Sequence, residues 1–464
     1  MAEQRRTIRG CARAGLQRKP RNSLREAWDV NNIATGSSQC FGTGKQREVL
    51  DYVVQFHSVR TQPHRLSLLA IIPANSMAML CSSLYVDCVK VTICKPHELG
   101  FGELSLWRNW QKADPRLASP FLAPEFAIAF ANHFEAARVA VLEDEANIVG
   151  FFPYEKRPLG VGTTLAYNFS DTQAVICSAG FQFDPIELLQ ACGVAVLEFD
   201  HIVGHQSFQF SQAGRVDLLP APVIDLTGNF EEWLKDKRQT SSNIKQATRK
   251  QRKLHHEIGS INFVYDSPEP ADFAQLMAWK SAQYVRTGRS DRFANPRFRG
   301  FVEELFATRT GDFQLRLARL QAGDRTAALC LSLRAPDRLA HWFPAYDTSL
   351  ASYSPGSICL INLAEAAAKD GLSRLDLGKG SEAYKQWFKN FDDQVAEGWI
   401  QRRSPAALLR QVQQGPKRAV LQLVLGNPRL RTAARSALKG VGQIRQAAAK
   451  AKSSDRFRQK AQRP

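Results

Sequence analysis

One grammar runs through this 464-residue chain twice, and it limits the folds open to it. In the first half, residues 86–93 alternate apolar and polar side chains as a half-buried strand does. Helical patterns follow at 96–112 and 125–135, then a hairpin of 138–142 and 148–154 about a polar turn. A helix at 184–192 stops at Gly193 and leads into an apolar strand at 194–199. In the second half, 230–258 reads as helix in two pieces, broken near Thr240, where Thr240 or Ser241 can cap the second piece. Helices at 272–284 and 296–308 precede another hairpin, 313–320 with 327–333. A strand at 339–346, a helix at 358–369 and a strand at 372–377 close a βαβ unit. Duplication of one α/β module is the economical explanation, so the expected class is α/β with mixed sheets in two tandem modules.

The expected division is a poorly structured arm at 1–84, a first module at 85–228, a second at 229–400 and a tail at 401–464. Charge follows that division. The formal net charge is +18, yet the tail alone carries sixteen Lys and Arg against one acid, Asp455, and residues 1–76 carry twelve against five. The body between is mildly acidic, which argues against a protein built throughout to grip nucleic acid. The tail mixes Ala, Leu and Val with regular Arg and Lys, which suits an amphipathic helix on anionic lipid or a loosely ordered cationic segment; nucleic acid ranks third. Lys245, Arg249, Arg252 and Lys253 lie on one helix face, read as a solvated face or, more sharply, as a contact for acidic polymer or nucleotide.

Nine scattered cysteines without a CxxC pair read as reduced cytosolic thiols, and no metal site is expected among the nine histidines. The apolar run at 66–86 is interrupted by Pro73 and Asn75, too broken for a spanning helix, and the long polar arm before it fits a signal peptide badly. Folded-looking sequence begins just after Met77 and Met79, so the start of the protein is expected there. A cytoplasmic location is expected, with peripheral contact at the inner membrane through the tail.

The densest chemical signal lies at 346–358. Tyr353, Ser354, Pro355, Gly356 and Ser357 leave a strand and enter a helix. First-turn amides without internal partners, together with the helix dipole, make an anion site there, and Gly356 lets a phosphate approach the backbone. Taken alone, the same residues are also a plain strand-to-helix turn with Ser357 as its cap.

Their context comes from Trp279-Lys280, Gln283-Tyr284, Thr287-Gly288, Tyr346-Asp347, Asp376-Leu377-Gly378, Gly380 and Tyr384-Lys385, and in the first half from Ser119-Pro120-Phe121, Pro124, Phe126 and Val149 to Pro153. Over roughly 85–400 the chain resembles the CelD/BcsL family of acetyltransferase-like proteins, associated with cellulose and exopolysaccharide production. It is also similar to the FemAB peptidoglycan aminoacyltransferases, which carry two GNAT domains and an aromatic-Lys-x-x-Phe tail of the shape of Tyr384 to Phe388. The resemblance implies two tandem GNAT-like domains. It also implies that the loop before Ile358 holds the pyrophosphate of acetyl-CoA, with pantetheine along the 339–346 strand. The chain departs from the usual GNAT phosphate loop, since only Gly356 of its small residues is clearly in place. The first module has no comparable Gly turn before its 184–192 helix, which marks it as a degenerate, substrate-binding or structural half.

Acyl transfer to an amine or hydroxyl needs a base, donors for the tetrahedral oxyanion and an acid for the leaving thiolate. On the resemblance, Asp347 or His341 is the base, Tyr384 the acid, and Lys385 the holder of an anionic donor or substrate. His341 and Tyr346 are five positions apart, so in an undisturbed strand they face opposite sides and one of them reaches the cleft. Plainer roles stand beside these: Asp376 as a cap, His341 as a satisfied core residue, Lys385 as a solvated charge. The expected function is acetyl-CoA-dependent transfer to a saccharide, amino sugar or polysaccharide precursor. Its rivals are a non-catalytic accessory module of a polysaccharide synthase and a FemAB-like transferase using aminoacyl-tRNA.

Overall fold

The computed structural model describes residues 90–404 apart from Ala146, so the arm, the expected start and nearly all of the basic tail lie outside the described residues. The first module contributes β1 (Lys90–Cys94), β2 (Ala137–Asp144), β3 (Asn147–Arg157), β4 (Val161–Thr164), the short β5 (Ile176–Cys177), β6 (Val196–Val203) and β7 (Gly214–Asp225). The second contributes β8 (Ile261–Val264), the short β9 (Arg309–Thr310), β10 (Phe313–Ala322), β11 (Arg325–Arg334), β12 (Arg338–Tyr346), β13 (Arg374–Asp376) and β14 (Phe391–Gln401). All fourteen belong to one sheet, ordered β1-β2-β3-β4-β6-β14-β7-β13-β12-β11-β10-β8, with β5 on β3 and β9 on β10.

That order displays the duplication. An antiparallel run ends in a parallel pair in each half: β4 beside β6, and β12 beside β13. The last strand of each module crosses to the other. β7 pairs with β13 of the second module, β14 pairs with β6 of the first, and the two exchanged strands pair with each other at the centre. This exchange leaves neither module with a sheet of its own.

Local chemistry sets the element ends. Five helices open on proline at a first-turn position: Pro124–His133, Pro185–Ala191, Pro270–Arg286, Pro296–Ala307 and Pro355–Lys369. Proline there loses no hydrogen bond and arrives with helical φ already fixed. The long helical stretch of the second module breaks at Ser241, which is extended and whose hydroxyl accepts the Ile244 N–H, dividing Phe230–Thr240 from Ser242–Glu257. Two expectations shift. The helix of the βαβ unit starts at Pro355, three residues before its expected start, so Pro355, Gly356 and Ser357 form its first turn. Its following strand shrinks to β13, while the start of the strand expected at 86–93 lies outside the described residues.

The core also crosses the modules. Phe126 and Phe130 of the first pack edge-on against Phe301 of the second at 5.3 and 5.4 Å, and all three are fully buried. On the rim of that contact Glu304 accepts hydrogen bonds from Asn132 and pairs with His133. Truncating a fully buried Phe costs about 3–5 kcal/mol, so this contact alone couples the modules strongly. Among the described residues no helix is long and apolar enough to cross a membrane.

Candidate active site at the parting of two strands

β12 and β13 run side by side only from Arg338 to Ala340 and from Arg374 to Asp376, then diverge. Beyond that point opens a cleft of about 850 Å³. One wall is Lys280, Gln283 and Tyr284 of the Pro270–Arg286 helix with Arg289 and Arg292 beyond it; the β12 side is His341 to Pro344. The far wall combines Leu377, Lys379, Tyr384 and Lys385 of the second module with Asp171, Asp200 and His201 of the first.

β12 carries a bulge at this place. Ser332 pairs with His341 and Leu331 with Phe343, so Trp342 is an extra residue. Trp342 and Phe343, consecutive in sequence, both pack into the cluster that holds Ala340 and Ala345, while Leu339 packs into the other. The bulge therefore reverses the alternation, and His341 and Tyr346 come to the same face. The expectation of opposite faces fails for that reason. His341 still lines the cleft and Tyr346 does not; the Tyr346 ring lies instead where a Cβ on Gly356 would meet it at 3.5 Å.

His341 is buried and its Nδ1 has no hydrogen-bond partner. Burial, with the like charges of Lys385 and Lys280, pulls the imidazole down to about 3, so it is a neutral acceptor at any ordinary pH. The Tyr384 ring centroid is 6.4 Å from that of His341. Burial, reinforced by Glu382, pushes the Tyr384 phenol up, which keeps its proton available for donation. Lys385 is buried, and its ammonium donates to the carbonyls of Gly378 at 3.1 Å and Lys379 at 2.9 Å and pairs with Glu382 at 3.3 Å. All three of its donors are engaged, so in this conformation it ties down the 378–385 segment and has no donor left for an anion.

Asp347 is not brought to the cleft. Its side chain accepts from the Ser349 N–H and meets Arg325 at 2.7 Å; burial pushes its carboxyl up, but these bonds outweigh burial and hold it below the usual range. The Tyr353–Ser357 turn stands at the other end of β12. Ser354 is in the left-handed region, and its carbonyl accepts the N–H groups of both Ser357 and Ile358. With Pro355 lacking an N–H, Gly356 supplies the free first-turn amide. Lys250 lies 2.9 Å from the Ser354 hydroxyl and Lys253 sits over the Tyr353 ring, so the basic helix face meets this turn. One free amide, a lysine and the missing side chain of Gly356 fit a diphosphate, with fewer donors than a full glycine-rich loop.

Sequence reasoning left the first module a substrate-binding or structural role but missed the residues that it brings to the cleft. Asp171 lies against Gly378, where φ is +70° and a Cβ would come within 2.7 Å of the carboxylate. Only glycine satisfies both conditions. Burial pushes the Asp171 carboxyl up, and His201 and Lys385 recover part of the shift. His201 lies between two carboxylates, 3.3 Å from Asp200 and 3.8 Å from Asp171. Lys280 sits between the rings of Tyr284 and Phe343, bonded to Gln283 and to the Pro344 carbonyl, and burial lowers its ammonium to about 8. Lys280 was marked in the sequence only as part of a motif; Asp171, Asp200 and His201 carried no local signal.

Residues 241–386 match the acetyltransferase (GNAT) domain family, a span that takes in β12, the Pro355 turn, His341 and Tyr384. The chain thus carries a GNAT acetyltransferase domain inside a duplicated mixed α/β sheet, and it is an acyltransferase. GNAT domains take acyl-CoA as donor. No curated protein matches the chain in sequence. Among solved structures it is similar to FemX (12% identity, covering 67% of this chain and 98% of that one, TM-score 0.47). It is also similar to L-PGS from Bacillus licheniformis (9%, 67% and 96%, TM-score 0.42) and to a tandem GNAT protein from the clavulanic acid biosynthesis pathway (11%, 68% and 99%, TM-score 0.41).

Proposed function

We propose that the cleft is the active site of an acetyltransferase that uses acetyl-CoA and acylates a sugar, amino sugar or polysaccharide precursor, in cellulose or exopolysaccharide formation as the CelD/BcsL resemblance suggests. The observation that carries this reading is the divergence of β12 and β13 onto a polar cleft in which His341, Tyr384 and Asp171 converge. Carboxylates and amides from both modules, among them Asp171, Asp200, Asn168 and Gln283, offer the acceptors and donors that hydroxyl groups need. Division of the chain near residue 228, a cytoplasmic location and tail contact with anionic lipid belong to the same proposal.

A bound acyl thioester would supply the electrophilic carbonyl. The chain's residues do the rest. Neutral His341 accepts a hydrogen bond from the attacking amine or hydroxyl and orients it. Asp171, its carboxyl pushed up by burial, takes the proton. Tyr384, held as a phenol, protonates the leaving thiolate. Gly356 N–H and Lys250 hold the donor's diphosphate, and Lys385 keeps the 378–385 segment in place.

A second reading, that of an accessory module without catalysis, is favoured by one observation: the first turn at Pro355 offers a single free amide. Calorimetric titration of acetyl-CoA and of free CoA into the full chain, and into Gly356→Glu, separates the two. A Cβ at Gly356 meets only the Tyr346 ring at ordinary distance, so the substitution leaves the fold intact while it puts a negative charge at the turn. Micromolar binding that Gly356→Glu abolishes supports the transferase. A folded wild type that binds neither ligand supports the accessory module.

A further inference from the structure

The charges of the cleft are not evenly matched. On the far wall, Lys379 meets Glu397 at 2.6 Å, Lys385 meets Glu382 at 3.3 Å, and His201 lies beside Asp200. On the near wall, Lys280, Arg289 and Arg292 form no ion pair among the described residues. Asp291, their neighbour in sequence, turns its carboxylate to the Phe293 N–H at 3.0 Å and the Ser281 hydroxyl. Three cations therefore face the same cavity without an ion-pair partner, and Arg289 and Arg292 each disfavour the charge on Lys280.

The arrangement is held in position. The Arg292 guanidinium lies 5.0 Å from the Phe169 ring centroid and donates to the Asn168 carbonyl, so residues of the first module aim it. Lys280 spends two donors on Gln283 and the Pro344 carbonyl and keeps a third. An anion placed among them would relieve their repulsion, and paired guanidinium and ammonium donors match the oxygens of a phosphate.

We propose that this wall binds a phosphate carried by the acceptor, so that the acylated molecule is a sugar phosphate or a nucleotide-activated sugar. The inference rests on reading the cleft as an acyltransferase's acceptor site. It gives the two walls separate tasks: the phosphate is held on the Arg289–Arg292 side, and the sugar's nucleophile is presented to His341 and Asp171 across the cleft.

The test is calorimetric titration of the full chain with glucosamine, glucosamine 6-phosphate and UDP-glucose, using the wild type, Arg289→Gln, Arg292→Gln and Gly356→Glu. Arg289 is exposed, so its substitution does not endanger folding. The expected result is that a phosphorylated probe binds at least about tenfold more tightly than glucosamine. Each arginine substitution should weaken that binding about tenfold, rising salt should weaken it too, and Gly356→Glu should leave it unchanged. Preference for glucosamine 6-phosphate assigns a sugar phosphate, and preference for UDP-glucose an activated sugar. Equal binding of phosphorylated and plain sugar, or phosphate binding lost only in Gly356→Glu, overturns the inference while acetyl-CoA binding by the same protein leaves the transferase reading standing. A wild type that does not bind acetyl-CoA overturns the reading on which the inference rests.

Discussion

His341 and Asp376 stand at the point where β12 and β13 part: Ala340 faces Asp376 in the last paired rung, and His341 is the next residue. The Asp376 side chain accepts the Gly378 N–H at 2.9 Å, the capping role that the sequence left open to it. Burial nevertheless pushes its carboxyl up to about 6, against the pull of Arg338. The folded chain thus keeps this proton to about pH 6, whereas the unfolded chain releases it near 3.8. Between those values the folded state binds more protons, so stability falls as pH rises through the window and the penalty is complete above about 6. Asp376→Asn keeps the acceptor for Gly378 and removes the charge. It is expected to raise the Tm at pH 7.5, by at most about 3 kcal/mol in stability, and to change it little at pH 4. Thermal unfolding at the two pH values checks this; an equal effect at both would show that the carboxyl is not shifted.

At the scale of elements, the hairpins, the proline-led helices and the broken helix at Ser241 were legible because each is set by residues within one turn of it. The exchanged strands were not. β7 contains Pro220 and Pro222, which sequence logic assigns to an edge or a loop. It nonetheless lies at the centre of the sheet, because the Pro222 carbonyl faces β13, where it accepts the Leu377 N–H, and β13 has no rung opposite either proline. The missing N–H groups thus fall where no ladder acceptor waits. β14 is too polar to read as a central strand, and its partners lie far away in sequence. β14 shifts register against β6 after Ala396, and on its other side, where it pairs with β7, a Cβ on Gly398 would overlap the Arg215 carbonyl. Gly398→Ala is expected to cost about 1–3 kcal/mol, seen as a lower Tm or urea midpoint with no change in which ligands bind. An unchanged midpoint would mean that the strands do not approach so closely.

The site follows the same rule. His341, Tyr384 and Lys385 sit beside a recognisable βαβ unit, so they could be singled out from local pattern and resemblance. Asp171 and His201 reach the cleft only because the first module's strands flank β14, a relation that no local periodicity encodes.

For the whole molecule, the shared sheet and the aromatic contact of Phe126 and Phe130 with Phe301 tie the modules into one cooperative unit. Calorimetric unfolding of the body is therefore expected to give a single transition, with van't Hoff and calorimetric enthalpies in agreement. Two separated transitions assignable to residues before and after about 228 would contradict that.

The central claim is that one catalytic cleft is built by both modules. Its most direct test is CoA release from acetyl-CoA, followed across a panel of sugars, amino sugars and their phosphates, in the wild type and in Asp171→Asn. Loss of a general base predicts turnover lowered by about 10²–10⁴-fold, with acetyl-CoA affinity unchanged. Wild-type turnover in Asp171→Asn would contradict the claim and confine catalysis to the second module.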